Sequence, residues 1–108
     1  MNETDFNTQA EGILAAIMRT LEASGVDCDC EWKGDGVLEL EFEDRSKIVV
    51  NRHGPAREIW IAAKSGGYHF HFDAGRWVNS RDGEELFTTL SRCVSQQSGS
   101  RVVLSARA

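Results

Sequence analysis

Apolar residues recur at spacings of three and four near the start of the chain: Phe6, Ala10, Ile13, Leu14, Ile17 and Leu21. That period winds into a single stripe on a helix. Gly25 supplies a residue suited to the left-handed turn that ends it. The period then shortens to two. Cys28, Cys30 and Trp32 alternate with Asp29 and Glu31; past a Gly34-Asp35-Gly36 turn, Leu38, Leu40 and Phe42 alternate with Glu39, Glu41 and Glu43. Two alternating runs joined by a tight turn predict a hairpin, with Cys28, Cys30 and the second apolar row facing inward. The β-branched run Ile48-Val49-Val50 predicts a third strand over Lys47 to Arg52. Glu58 to Lys64 is a fourth, with Ile59, Ile61 and Ala63 on one face and Trp60 and Ala62 on the other. His53-Gly54-Pro55 and Ser65-Gly66-Gly67 read as turns around it. Tyr68 to Phe72 forms a fifth strand and Arg76 to Asn79 a short sixth.

A second helix is predicted where Asp82 and Glu85 stand in capping-box spacing, the Asp82 carboxylate accepting from the unpaired first-turn N–H groups. Leu86, Phe87, Leu90, Cys93 and Val94 make its stripe, and Gly99 ends it. The apolar tail Arg101 to Leu104 is expected to lie back against the helices. Helix, six strands joined by short turns, helix: the strands imply an antiparallel sheet, and both helical stripes need one sheet face to cover them. The expected fold is an α+β two-layer sandwich, with two helices on one face of a six-stranded antiparallel sheet, as one domain over 1–108.

Composition narrows the partners. The chain has 108 residues, a net charge of −5 and a pI near 5.1. Such a surface repels nucleic acid and anionic membranes and favours cations and basic protein surfaces. No apolar run is long enough to span a bilayer. The stretch from Met1 to Glu11 is polar and acidic, unlike a secretory signal, so a cytoplasmic location is expected. Cys28, Cys30 and Cys93 show no disulfide-framework spacing and are expected as reduced thiols; a metal site at Cys28 and Cys30 would need two further ligands.

The blocks Lys47-Ile48-Val49-Val50-Asn51-Arg52, Ile59-Trp60-Ile61-Ala62-Ala63-Lys64-Ser65-Gly66-Gly67-Tyr68-His69-Phe70, then Trp77 and Gly83-Glu84, resemble the bacterial frataxins along nearly the whole chain. The resemblance implies a part in iron–sulfur cluster assembly. It implies contacts with cysteine desulfurase and its scaffold protein, and ferrous or ferric iron held on an acidic ridge of the first helix and first strand. It implies an accessory regulator, not an enzyme. Separately from the resemblance, a monomer is the default expectation, with metal-driven association left open.

The carboxylates support that chemistry. Glu11 and Glu22 are eleven residues apart, within roughly 20° around a helix, on a strip with Ala15 and Met18 that lies off the apolar face. Asp27, Asp29 and Glu31 project from one side of the first strand. Crowded like charges are relieved by a bound cation, and hard oxygen donors suit iron, manganese and calcium in an open, wet site. The plainer alternative is a solvated acidic face. Met18, Arg19 and Ala23 stand where the family often carries acids, and Asn7 where some relatives carry histidine, which shifts weight to the strand acids. Glu39, Glu41 and Glu43 are expected as an ordinary solvated row.

Trp60 is expected on the open side of the sheet, where a large aromatic invites a partner. The resemblance puts an asparagine and tryptophan matching Asn51 and Trp60 in the partner-binding surface, with Arg52 beside them. The alternative is that Trp60 packs on Arg52 or His69. Trp32 and Trp77 are expected in the core or at its edge. His69, His71 and Asp73 share a strand face, so a second reading is a metal or haem carrier using His69 and His71; the family usually has aspartate in place of His71. A third is a weak ferroxidase or iron store. No nucleophile–base pair, phosphate loop or helical Glu-x-x-His motif favours an enzyme.

Overall fold

The computed structural model describes residues 1–105. Helix α1 (Glu3–Ser24) starts where Asn2 Oδ1 accepts the Asp5 N–H at 2.8 Å, and Glu3 and Asp5 place negative charge on the positive end of the helix dipole. It ends at Gly25, whose φ of 71° is the left-handed turn expected there. Its buried stripe holds the predicted Phe6, Ala10, Leu14, Ile17 and Leu21; Ile13 sits at the margin.

Six strands follow: β1 (Cys28–Trp32), β2 (Val37–Phe42), β3 (Lys47–His53), β4 (Glu58–Ala63), β5 (Gly66–Asp73) and β6 (Arg76–Asn79). They lie in the sheet in chain order, each antiparallel to the next. The one-sided alternation is why one face buries Leu38, Leu40, Phe42, Ile48, Val50, Ile59, Ile61 and Phe70 while the other carries the polar set. The turn before β5 is shorter than expected, because Gly66 and Gly67 already pair with Ala63 and Ala62.

Helix α2 (Leu86–Ser98) starts later than the capping-box spacing suggests. Its cap is Glu85, whose carboxylate accepts from Phe87 N at 2.8 Å and Thr88 N at 3.3 Å. Asp82 accepts from Glu84 N instead. Asn79 explains the shift: its carbonyl accepts from Gly83 N, its side chain accepts from Arg81 N, and its own N–H donates to Glu84 O. Residues 80–84 are thereby held as a turn, and a bridge between Val78 and Glu85 keeps Glu85 extended.

The stripe Leu86, Phe87, Leu90, Cys93 and Val94 is buried and joins the α1 stripe over the sheet. Gln97 ties α2 to the sheet, accepting from Lys64 N at 2.9 Å and donating to Lys47 O at 3.2 Å. Trp77 is in the core, edge-on to Phe6 and Phe72. The tail folds back as expected. Val102 and Leu104 are buried; Ser95 and Ser91 hydroxyls accept their N–H groups, and Ser105 N reaches Thr20 on α1.

Trp32 departs from expectation. It is 48% exposed, because β1 is an edge strand and Trp32 is its last residue. The indole lines a groove with Glu11, Leu14, Ala15, Asp35 and Arg52 instead of entering the core.

Candidate functional site

The five carboxylates of the predicted ridge divide. Glu11 lies in the Trp32 groove, and Glu22, eleven residues along α1, is about 16 Å further on. Glu22 is close enough to Cys30 to help push that thiol up. Glu31 is bound by Lys33 at 2.9 Å. Asp27 and Asp29 remain, and the register of the hairpin adds to them. Asp29 is the cross-strand partner of Glu41, as Glu31 is of Glu39.

A cleft of about 330 Å³ is therefore lined by Asp27, Asp29, Glu41 and Glu43, with Arg45 as its cation. By strand alternation alone, Glu41 and Glu43 are expected in a separate solvated row. The hairpin signal contained the pairing, because a turn centred on Gly34 to Gly36 sets Asp29 opposite Glu41. Glu39 is the member of that row that is satisfied internally. Lys47 and Lys33 hydrogen-bond it at 3.2 and 3.4 Å, and Lys47 first among them holds its carboxyl below the usual range.

Among the described residues, no three His, Cys, Asp or Glu side chains converge on a point that would hold a metal ion. The cleft's donors are hard oxygens on an open surface, which suits a wet, exchangeable cation better than a dehydrated one. The thiols do not contribute. Burial, then the charges of Cys28 and Glu22, push Cys30 up to about 11; burial, then Asp29 and Asp27, raise Cys28. Both stay protonated at neutral pH and are poor ligands.

The second surface lies on the open side of β3 to β5. Trp60 points there, as its alternation with Ile59 and Ile61 requires, with Asn51 and His69 as its cross-strand partners. Both indole faces are covered. His53 stacks on one at 3.7 Å and 9°, and His69 on the other at 4.3 Å and 13°. That leaves the indole edge, not its faces, open to the outside. Trp60 Nε1 donates to Glu58 Oε1 at 2.9 Å, and Ser80 Oγ donates to Glu58 Oε2 at 2.9 Å. Burial works against the charge on Glu58. The Trp60 and Ser80 hydrogen bonds, helped by His69 and His71, outweigh it and hold the carboxyl below its ordinary range.

Arg52 is not part of this surface. It faces the helix side, where its guanidinium bonds Asp35 at 2.9 Å and its N–H donates to Gly36 O. His71 Nδ1 lies 3.0 Å from Ser80 Oγ. Serine, histidine and glutamate are thus neighbours, but Ser80 gives its proton to Glu58, so no histidine accepts it as a nucleophile's general base would.

A family model described as a frataxin-like domain matches residues 1–100. An iron-sulfur cluster assembly protein CyaY of Dechloromonas aromatica is 51% identical over 104 residues, covering 96% of this chain and 99% of that protein. Among solved structures, a frataxin from Psychromonas ingrahamii superimposes with a TM-score of 0.89 at 33% identity, covering 97% of this chain and 99% of that one. A trimeric yeast (Saccharomyces cerevisiae) frataxin complexed with ferrous iron superimposes with a TM-score of 0.65 at 28% identity, covering 92% and 88% of the two chains.

Proposed function

The chain belongs to the frataxin-like family, and from that premise we propose that it is an accessory protein of iron–sulfur cluster assembly. In this reading it regulates a cysteine desulfurase and its scaffold, and carries ferrous or ferric iron loosely on surface carboxylates. The observation that carries the reading is the cleft of Asp27, Asp29, Glu41 and Glu43, four acids facing a single lining cation, Arg45. Asp29 and Glu41 stand directly opposite each other, an arrangement that costs stability until a cation or a basic partner relieves it. Relatives named for cluster assembly and a yeast frataxin complexed with ferrous iron support the same assignment. Iron is cargo here: oxygen donors would hold it with its water, and the chain's task is to bring it, or the charge itself, to a partner.

Glu11 and Glu22 extend the negative field along α1 without joining the cleft. Trp60 and Asn51 supply the second contact, toward the scaffold or desulfurase, and Arg52 supports it only by anchoring the turn at Asp35. The protein acts without catalytic residues and works in the cytoplasm. His69 is held flat on Trp60, an arrangement that lends no support to haem as a ligand.

The test is an NMR titration with ferrous iron under anaerobic conditions. Broadening is expected first at Asp27, Asp29, Glu41 and Glu43. Broadening confined to His69 and His71 would transfer the site to the histidine row. In parallel, Trp60→Ala is expected to weaken binding to the desulfurase–scaffold complex at least tenfold with the fold intact, as removing a hot-spot aromatic does (about 2 kcal/mol).

A further inference from the structure

All three histidines of the chain lie on one patch of the open sheet face, around Trp60 and Glu58. Their hydrogen bonds fix how each can take a proton. The single Ser80 hydroxyl proton is given to Glu58, so the 3.0 Å contact between Ser80 Oγ and His71 Nδ1 requires His71 to be the donor. Neutral His71 therefore carries its proton on Nδ1 and leaves Nε2 open. It can be protonated there without breaking anything, with Glu58 one hydroxyl away. His69 faces the same carboxylate across the strand pair and lies over the Trp60 ring, where a cation is attracted by the indole face. His53 differs. Its Nδ1 accepts the Ala56 N–H at 3.2 Å, so a second proton would displace that bond. It is the aromatic cover on the far side of the indole.

The other charges on the patch come from every element around it. Glu58 stands on β4 and Asp73 on β5; Arg76 on β6 is the cross-strand partner of Asp73. Arg81 and Asp82 rim the adjoining cleft beside His69. Asn51 on β3 is neutral, and Lys47 and Glu39 pair with each other further along the face. Two arginines thus stand against three carboxylates. Protons on His69 and His71 turn a deficit of one charge into an excess of one.

We propose that the sheet face around Trp60 is a proton-gated docking surface for a partner patch that bears carboxylates, engaged as His69 and His71 become charged. The proposal rests on Trp60 as a contact, the reading given above, and adds the partner's chemistry and its regulation. The molecule would then be two-ended, with the acidic cleft of the β1–β2 hairpin taking cations and basic surfaces while the histidine face takes an acidic one. Charge complementarity of this kind sets which partner meets which face.

The experiment uses the full chain, labelled with nitrogen-15, and poly-L-glutamate as the acidic probe. At pH 6 the probe is expected to shift the Trp60 indole N–H and the His69 and His71 ring signals. The apparent affinity should be roughly tenfold higher at pH 6 than at pH 8, the worth of two rim ion pairs. In His71→Gln, and further in His69→Gln with His71→Gln, the pH 6 response should fall to the pH 8 level. Shifts of equal strength at both pH values, shifts that survive the double substitution, or no response of this face at pH 6 would each overturn the proposal. The wild-type pH comparison needs no variant to fold, and none of these outcomes depends on the desulfurase–scaffold measurement that judges Trp60 docking itself.

Discussion

Glu58 shows how one residue reports a local environment. It accepts from Trp60 and from Ser80, and its carboxyl is held below the ordinary glutamate range of about 4.5. A lowered folded value means stability that is present above the unfolded value and is lost as pH falls through the folded one. Glu58→Gln is therefore expected to cost about 1 kcal/mol at pH 7, the worth of a charge-assisted hydrogen bond exchanged for a neutral one. The variant should also lose less stability than the parent when chemical denaturation is repeated as pH falls below about 4.5. Cys30 carries the opposite sign. With its thiol pushed up to about 11, the thiolate fraction at pH 8 is roughly a hundredfold below that of an ordinary cysteine of pKa 9.0. Iodoacetamide at pH 8 should leave Cys30 unmodified for as long as the protein stays folded and label it on denaturation.

At the level of elements, α2 is joined to the sheet by one buried polar side chain. Gln97 is 9% exposed, accepts from Lys64 N and donates to Ser46 Oγ and Lys47 O. Gln97→Ala removes three contacts and strands the Lys64 N–H beneath the helix, with an expected loss of about 1–3 kcal/mol in urea denaturation. Gly36 is a second element-level constraint. Its φ is +75°, and a Cβ there would stand 3.1 Å from the Arg52 side chain that closes onto Asp35. Gly36→Ala should lower stability by about 1–3 kcal/mol, read as a lower melting temperature, because the strained backbone and the displaced Arg52 act together. Both effects belong to junctions between elements, where neither helix nor strand propensity has a say.

For the whole molecule, the distribution of charge matters more than its sum. The acids of β1 and β2 face each other across the hairpin, while the histidines and Trp60 occupy the far half of the same sheet face. Asp29→Asn with Glu41→Gln is expected to raise stability by about 0.2–1 kcal/mol in metal-free buffer, since a like-charged cross-strand pair is removed. The same change should abolish the stabilisation that millimolar calcium or anaerobic ferrous iron gives the parent. Thermal denaturation with and without the metal reads both effects.

The order of elements and the buried stripes were legible in the sequence because each depends on the period of apolar residues, which local backbone geometry imposes. Phe6 to Leu21, Leu38 to Phe42 and Leu86 to Val94 declare their faces with no knowledge of what covers them. The outward direction of Trp60 followed by the same parity. The tertiary structure decided what depends on register and neighbours. Asp29 meets Glu41, Lys33 cancels Glu31 of the predicted ridge, and Lys47 pairs with Glu39 of the neighbouring row. Trp32 runs past the covered part of its strand, and His53, seven chain positions before Trp60 on the other side of a turn, closes over its indole from β3. Periodicity fixes which side of an element is apolar. Which charges then stand within a few ångströms of one another is settled only when neighbouring strands pair in a given register and their side chains close on one another.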